Sequence, residues 1–370
     1  MNKRLKDFFP IIRSKKEILE EIDKRPELKN MYEEWDEEQK EEFLNFCTGA
    51  KGVKMLYDSF FKEVMSPEYT PERLNDFLSL LLKEPVRITA VLPNDTSRLA
   101  DESSLLIMDI IVQFDDGRLA NVEVQKIGYY FPGERSACYS ADLLLRQYKR
   151  LRGEKHKKFS YRDIQTVFVI VLFESSPKVF LEFPEIYEHY FEQRSDTGII
   201  LNQPQKFLYL ALDVFRKKQD NEGVTIHNRL EAWLTFLCRD EPEIIIELIE
   251  QYPEFKPLYE DIYELCLNIE KVMAMFSKEL REMDRNTVRL MIDDMQATIE
   301  QQQKKLDEQL KQHKVEMEEQ SKQYEQEMEE RSKKHECEMT EVVAKMKKMD
   351  EHMMVLNQRI AELEKLLDDK

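Results

Sequence analysis

Glycine and histidine are both scarce, and several familiar patterns are missing. Eight glycines and six histidines are spread over 370 residues. No glycine-rich loop is present to cradle a phosphate, so a nucleotide cofactor is not expected. His156 and His227 stand alone and read as solvated or core histidines rather than as ligands. The cysteines Cys47, Cys138, Cys238, Cys266 and Cys337 are far apart and form no CxxC pair. That argues against a zinc site and for reduced thiols in a cytoplasm. Cys138, with no nearby histidine, reads as buried packing rather than as a nucleophile. No apolar run approaches the roughly 20 residues of a bilayer span, and the start, Met1 to Asp7, lacks the apolar core of a signal peptide. No membrane partner is expected.

The formal net charge of −18 argues against a protein that coats nucleic acid indiscriminately, because phosphate contacts need local positive charge. One segment runs against the acidic background: Arg146, Lys149, Arg150, Arg152, Lys155, Lys157 and Lys158, with Glu154 opposed to them. A solvated helix end would favour the same residues, so a DNA-phosphate patch and a plain helix terminus both stay open.

The most informative stretch is a hairpin between Leu105 and Gln125. Leu105 to Val112 is apolar and β-branched, the composition of a buried strand, yet Asp109 lies in its middle. A buried aspartate is costly unless it binds something. Asp115-Asp116-Gly117 forms a turn, and Leu119 to Gln125 returns with polar/apolar alternation. A two-residue loop would set Asp109 against Val124. A three-residue loop with glycine last and left-handed pairs Phe114 with Arg118 and sets Asp109 opposite Glu123, with Gln125 further along the same face. Glycine in third place favours the longer loop. Directly opposed carboxylates repel, so the pair makes sense with a divalent cation between them; magnesium takes one or two carboxylates plus waters and substrate phosphates. On pattern alone, a surface hairpin with solvated acids is the alternative.

Around the hairpin, the lysine- and glutamate-rich residues up to 48 show helical spacing (Ile18, Ile22, Leu28, Tyr32, Trp35, Phe43, Phe46). Leu56 to Met65 reads as a helix, and Pro71 to Leu82 as another capped by Thr70. Pro85 to Leu92 reads as a first strand. Pro132-Gly133 opens a helix through about Leu151, Lys155 to Ser160 is a loop, and Asp163 to Phe173 is a continuous buried strand. One strand is expected at Phe207 to Val214, and Arg229 to Tyr263 reads as helical. Beyond Pro257 no glycine or proline interrupts a helix. Met339, Val342, Met346, Met349, Met353, Leu356, Ile360, Leu363 and Leu367 step by threes and fours, the seam of a coiled coil. Self-association through 289–370 is the default reading, and a helix folded back on its own body the alternative.

The order helix, three-stranded meander, helix, strand, with acids on strands two and three, resembles the PD-(D/E)XK nuclease core, and within it the transposase-like, recombination-promoting group. The resemblance is carried by Tyr57 to Lys62, Met108-Asp109, Gly117, Val122-Glu123-Val124-Gln125, Arg135, Tyr139, Gln147, Gly153-Glu154, Tyr161, the strand Val167 to Phe173, and Leu230 to Leu237. It implies an α/β fold: a restriction-endonuclease-like core with helical additions and a long C-terminal coiled coil. Together with the patterns on either side of it, the domains expected are a charged helical segment at 1–48, a nuclease-like domain at 49–225, a helical extension at 226–288 and a coiled coil at 289–370. By the same resemblance Asp109, Glu123 and the Val124 carbonyl hold magnesium or manganese, Asp109, Glu123 and Gln125 are catalytic, and Asp58, Arg135, Tyr139 and Gln147 support them. Gln125 stands where the general motif has lysine and carries no charge. The function implied is metal-dependent DNA endonuclease activity of recombination type; the alternative is a catalytically silent DNA-binding or scaffold protein that keeps the fold.

Overall fold

A computed structural model describes residues 4–93, 109–127, 133–199 and 201–368. Leu105 to Met108, expected in strand two, and Pro132, expected to open a helix, lie outside the described residues. The chain divides into two compact units, Met1–Thr287 and Val288–Lys370.

Four helices begin the first unit: α1 (Leu5–Phe8), α2 (Lys15–Lys24), α3 (Pro26–Glu34) and α4 (Glu37–Cys47). Two of them start with reciprocal caps. Ser14 and Glu17 exchange side-chain and backbone bonds at α2, and Asp36 and Gln39 do so at α4. Their apolar stripes enter the main core: Ile18, Ile22, Leu28 and Phe43 are buried in one cluster with Phe60, Trp233 and Phe276. Trp35 meets Phe276 edge-on with ring centroids 5.1 Å apart.

Next come α5 (Asp58–Val64) and α6 (Pro71–Leu82), then β1 (Ile88–Leu92), β2 (Ile110–Phe114) and β3 (Leu119–Ile127). Thr70 precedes α6 as expected, but its hydroxyl turns back to the Ser66 carbonyl and makes no cap bond. After the meander come α7 (Gly133–Lys155) and β4 (Val167–Ser175). Helix α7 runs four residues past the expected Leu151, the expected loop contains a short 3-10 turn, His156–Lys158, and a second, Tyr161–Asp163, follows it, so β4 begins at Val167 rather than at the expected Asp163. The chain continues through α8 (Lys178–Leu181), β5 (Glu188–Phe191), β6 (Gln205–Ala211) and α9 (Leu212–Glu222). β5 was not expected, and the last three residues of the expected strand at 207–214, Leu212 to Val214, are the start of α9.

Among the described residues six strands form one mixed sheet in the order β1-β2-β3-β4-β6-β5. β1, β2 and β3 are antiparallel neighbours; β4 is parallel to both β3 and β6. The sheet has two covered faces, and β3 shows the division. Ala120 and Val122 enter the main core, while Leu119 packs with Ile111, Tyr139, Leu143, Val169 and Val171 in a second core on the other face. Alternation therefore directs Asn121, Glu123 and Gln125 toward the second face, beneath α7.

Helices α10 (Arg229–Cys238), α11 (Pro242–Gln251), α12 (Lys256–Leu267) and α13 (Ile269–Asp368) complete the fold. The helical reading of 229–263 holds but is cut into three. The stretch after Pro257 does not run unbroken: Asn268 leaves the helix at ψ 81° and accepts the Lys271 amide at 3.0 Å. An asparagine cap thus makes a break that glycine and proline counting cannot reveal. The first turns of α13 bury Ile269, Val272, Met273 and Phe276 in the main core.

The second unit is helical through Asp368, and its seam residues Met339, Val342, Met346, Met349, Met353, Leu356 and Ile360 are exposed in the single chain. Among the described residues no helix is long and apolar enough to cross a membrane.

Candidate active site

The hairpin closes as a three-residue loop. Phe114 N–H donates to the Arg118 carbonyl at 2.9 Å and Gly117 N–H to the Phe114 carbonyl at 3.0 Å. Gly117 sits at φ +89°, a region that side chains with a Cβ disfavour. The β2–β3 register pairs Ile110 with Val122 and Ile111 with Asn121, so Asp109 continues it opposite Glu123. Asp109 lies immediately before β2 rather than in the middle of a strand as expected.

The two acids interlock through the backbone. Asp109 N–H donates to Glu123 Oε1 at 2.9 Å, and Val124 N–H donates to Asp109 Oδ2 at 2.9 Å. The second bond explains why Asp109 turns inward at a strand end: it takes a β3 amide that a longer β2 ladder would have used. Glu123 is 3% exposed, and Asn121 donates a second bond to its Oε1 at 2.8 Å. Burial, with the Asp109 charge second, pushes the Glu123 carboxyl up to about 8, against the pull of Asn121, the Asp109 amide and Arg135.

A cation approaches from α5. Lys62 Nζ lies 2.8 Å from Asp109 Oδ1 and 2.8 Å from Asp58 Oδ1, one helical turn back. Burial works against the Lys62 charge, but the Asp109 and Asp58 carboxylates overcome it and hold the ammonium above its ordinary range. Asp58 is lifted to about 6 by burial and then by Asp109, with Lys62 opposing both. Three acids and one lysine thus share a partly dry space. An open cleft lined by Lys62, Ser66, Pro67, Val91, Leu92 and Asp109 leads to it.

Helix α7 covers the acids with Arg135 and Tyr139. Arg135 Nε donates to the Tyr139 hydroxyl at 2.8 Å, and both residues feel the Glu123 charge. Gln125 follows Glu123 on the same strand face and is half-buried. Gln147 is elsewhere: it is buried and clips the start of β4, donating to the Gln165 carbonyl at 3.1 Å and accepting the Gln165 amide at 2.9 Å. Val124 is seen engaging Asp109 through its amide.

The basic series splits in two. Arg146 bonds Asp142 and the Pro93 carbonyl, both at 2.6 Å, and Arg150 bonds Gln113. These two arginines hold α7 against the sheet. Lys149, Arg152, Lys155, Lys157 and Lys158 are exposed, though Lys155 pairs with Asp163 at 2.7 Å. Cys138, expected to be buried, is exposed on α7.

Lys62, Asn121, Lys126 and Glu279 were not expected at the site. Lys62 lies four residues after Asp58, a spacing that signals a same-face helical pair. Asn121 belongs to the polar alternation of β3; its Oδ1 is buried without a hydrogen-bond partner among the described residues. Glu279 on α13 gives no sequence signal among so many glutamates. It is 1% exposed, accepts the Ser59 amide at 2.7 Å with one oxygen and binds Lys126 Nζ at 2.9 Å with the other. It thereby caps the start of α5, the helix that carries Asp58 and Lys62. Lys126 Nζ also stands 4.0 Å over the Tyr57 ring.

A family model described as PD-(D/E)XK nuclease family transposase matches residues 55–290. The chain belongs to that family. The match takes in every residue of the site just described, from Asp58 to Glu279, and leaves out the four N-terminal helices and most of the coiled-coil pattern. No curated protein and no solved structure gives a significant match.

PD-(D/E)XK nucleases typically use divalent metals, and the donors here suit a hard cation. Asp109 and Glu123 offer carboxylate oxygens, Asp109 already draws an ammonium, and Asn121 Oδ1 is a lone buried acceptor beside them. Among the described residues no three His, Cys, Asp or Glu side chains gather into a closed cage. Two carboxylates with remaining positions for water and phosphate suit a hard divalent cation.

Proposed function

We propose that this chain is a magnesium- or manganese-dependent DNA endonuclease of the transposase or recombination-promoting type. The observation that carries the reading is the interlocked pair Asp109 and Glu123, opposite one another where β2 begins. When bound, a divalent cation supplies Lewis-acid polarisation of the scissile phosphate and a more acidic attacking water. The chain's own residues do the rest. Asp109 and Glu123 hold the cation, with the Val124 carbonyl as a third oxygen. Gln125 orients the attacking water or a phosphate oxygen by hydrogen bonds. Arg135, steered by Tyr139, faces the phosphate with positive charge. Lys62 supplies the ammonium that the general motif carries at the position of Gln125, and so restores charge stabilisation that an amide cannot give.

The exposed basic residues Lys149, Arg152, Lys155, Lys157 and Lys158 contact DNA phosphates, and chains associate through 289–370 so that paired sites can cut both strands. Five free thiols suit a reducing cytoplasm.

Plasmid nicking with magnesium or manganese tests the reading. Wild type should nick, while Asp109→Asn and Glu123→Gln should fall to background. Equal nicking by wild type and both variants overturns it. Gln125 itself favours a second reading, a silent DNA-binding or scaffold protein. That reading predicts salt-dependent DNA binding, unchanged by Asp109→Asn, with no nicking by wild type.

A further inference from the structure

Three aromatic rings at the end of α7 belong to neither core. Tyr148 on α7 and Phe159 and Tyr161 in the turns after it pack on one another. Tyr148 meets Phe159 edge-on with centroids 5.4 Å apart and stacks on Tyr161 at 6.2 Å with the planes 13° apart. Phe159 closes the group against Tyr161 at 5.5 Å. Tyr161 is 75% exposed, so its outer face is open to solvent. The Arg152 guanidinium lies over the Tyr148 ring, 5.5 Å from its centroid, and donates to the Tyr148 hydroxyl.

The rings are set in the one strongly basic stretch of an acidic chain. Residues 146–162 carry eight lysines and arginines against the single acid Glu154, and Lys157, Lys158 and Arg162 are exposed beside Tyr161. A site for phosphate alone needs no rings. A duplex hides its base faces in its own stack, so an open ring offers it little. Cations combined with a free aromatic face suit an unpaired nucleotide, whose base stacks on the ring while its phosphates meet the lysines.

We infer that the Tyr148–Phe159–Tyr161 knuckle binds unpaired DNA, as a single strand or a single-stranded tail, with a base stacked on Tyr161. The inference rests on the reading that the chain acts on DNA, and it narrows the substrate to DNA with an unpaired segment. From Arg135 to Arg152 the rise along α7 is about 25 Å. The stacked nucleotide is thus anchored at the opposite end of α7 from the acids.

Fluorescence anisotropy on the full chain tests this, with EDTA present so that binding is read without cleavage. The probes are a labelled single strand, a blunt duplex, the same duplex with a single-stranded tail, and an RNA strand of the same sequence. Wild type should bind the single strand and the tailed duplex more tightly than the blunt duplex. Tyr161→Ala should weaken the unpaired probes by about tenfold and leave the blunt duplex within about twofold. Tyr161→Trp should keep the affinity, with indole fluorescence quenched on binding. Equal loss on blunt and unpaired probes, no loss at all, or RNA bound as tightly as DNA overturns the inference. Duplex binding without preference for unpaired probes overturns it too, and leaves the nuclease reading to the plasmid assay. Failure to bind any DNA at low salt overturns the inference as well, and the nuclease reading is again decided by the plasmid assay with metal present.

Discussion

Lys62 Nζ stands 2.8 Å from Asp109 Oδ1, across two elements whose sequences give little reason to expect the contact. The pair sets a lysine beside a carboxylate that the proposed mechanism assigns to the metal. Lys62→Met should cut nicking by a hundredfold or more, on the scale seen when one preorganised charge-stabilising donor is removed. Manganese affinity, read by calorimetry, should stay level or rise, because a competing cation has left Asp109. Adding Gln125→Lys to Lys62→Met should return part of the activity. A loss of metal binding equal to the loss of nicking would assign Lys62 a structural role instead.

The Glu123 carboxyl, pushed up to about 8 by burial and by Asp109, makes metal binding a competition with a proton. Below that value the metal-free site is protonated, so binding should release a proton and manganese affinity should climb with pH from 6 to 8. The slope should approach tenfold per unit. A pH-independent affinity would contradict the buried carboxyl.

The same group has a stability consequence in the absence of metal. Its folded value lies above the unfolded one, so the fold keeps full stability below the ordinary carboxylate range and loses it as pH rises through about 8. Glu123→Gln removes the charge. The variant should melt higher than wild type at pH 8.5 by at least roughly 2–4 °C, and the gap should close near pH 5. Thermal melts in EDTA at the two pH values check this.

Glu279 and Lys126 form a buried pair that also anchors α5. Glu279→Ala leaves Lys126 and the Ser59 amide without their acceptor and should cost about 3–5 kcal/mol in urea unfolding. Nicking should fall at temperatures where the variant remains folded, since Asp58 and Lys62 ride on α5. Glu279→Gln keeps an acceptor for Ser59 and should be milder.

The exposed seam of the second unit predicts association. Met346→Asp with Met353→Asp places charge on that seam and should reduce the oligomer to monomer by light scattering. An unchanged mass would assign the seam another role.

The sequence made the hairpin legible because a single chemical fact, glycine in third place, selected the loop and with it the register. Alternation in β3 then separated Ala120 and Val122 from Asn121, Glu123 and Gln125. Other features were hidden for physical reasons. β5 is four residues long and half-exposed, too short for any periodicity to show. The α12–α13 break depends on one Asn268 side chain capping the next helix. Gln147 lies on the same helix as Tyr139, but only tertiary structure shows it serving β4 instead of the acids. Lys62–Asp109 and Ser59–Glu279 join distant parts of the chain, and nothing local announces either.

The cap on α5 has a consequence for biosynthesis. Ser59 and Glu279 are 220 positions apart, so a ribosome must translate the body almost to its end before the acceptor for that amide exists. Until then Asp58 and Lys62 are carried by a short helix with an unanchored first turn. A nascent or prematurely terminated polypeptide therefore carries the acids Asp109 and Glu123 without the support that orients their lysine.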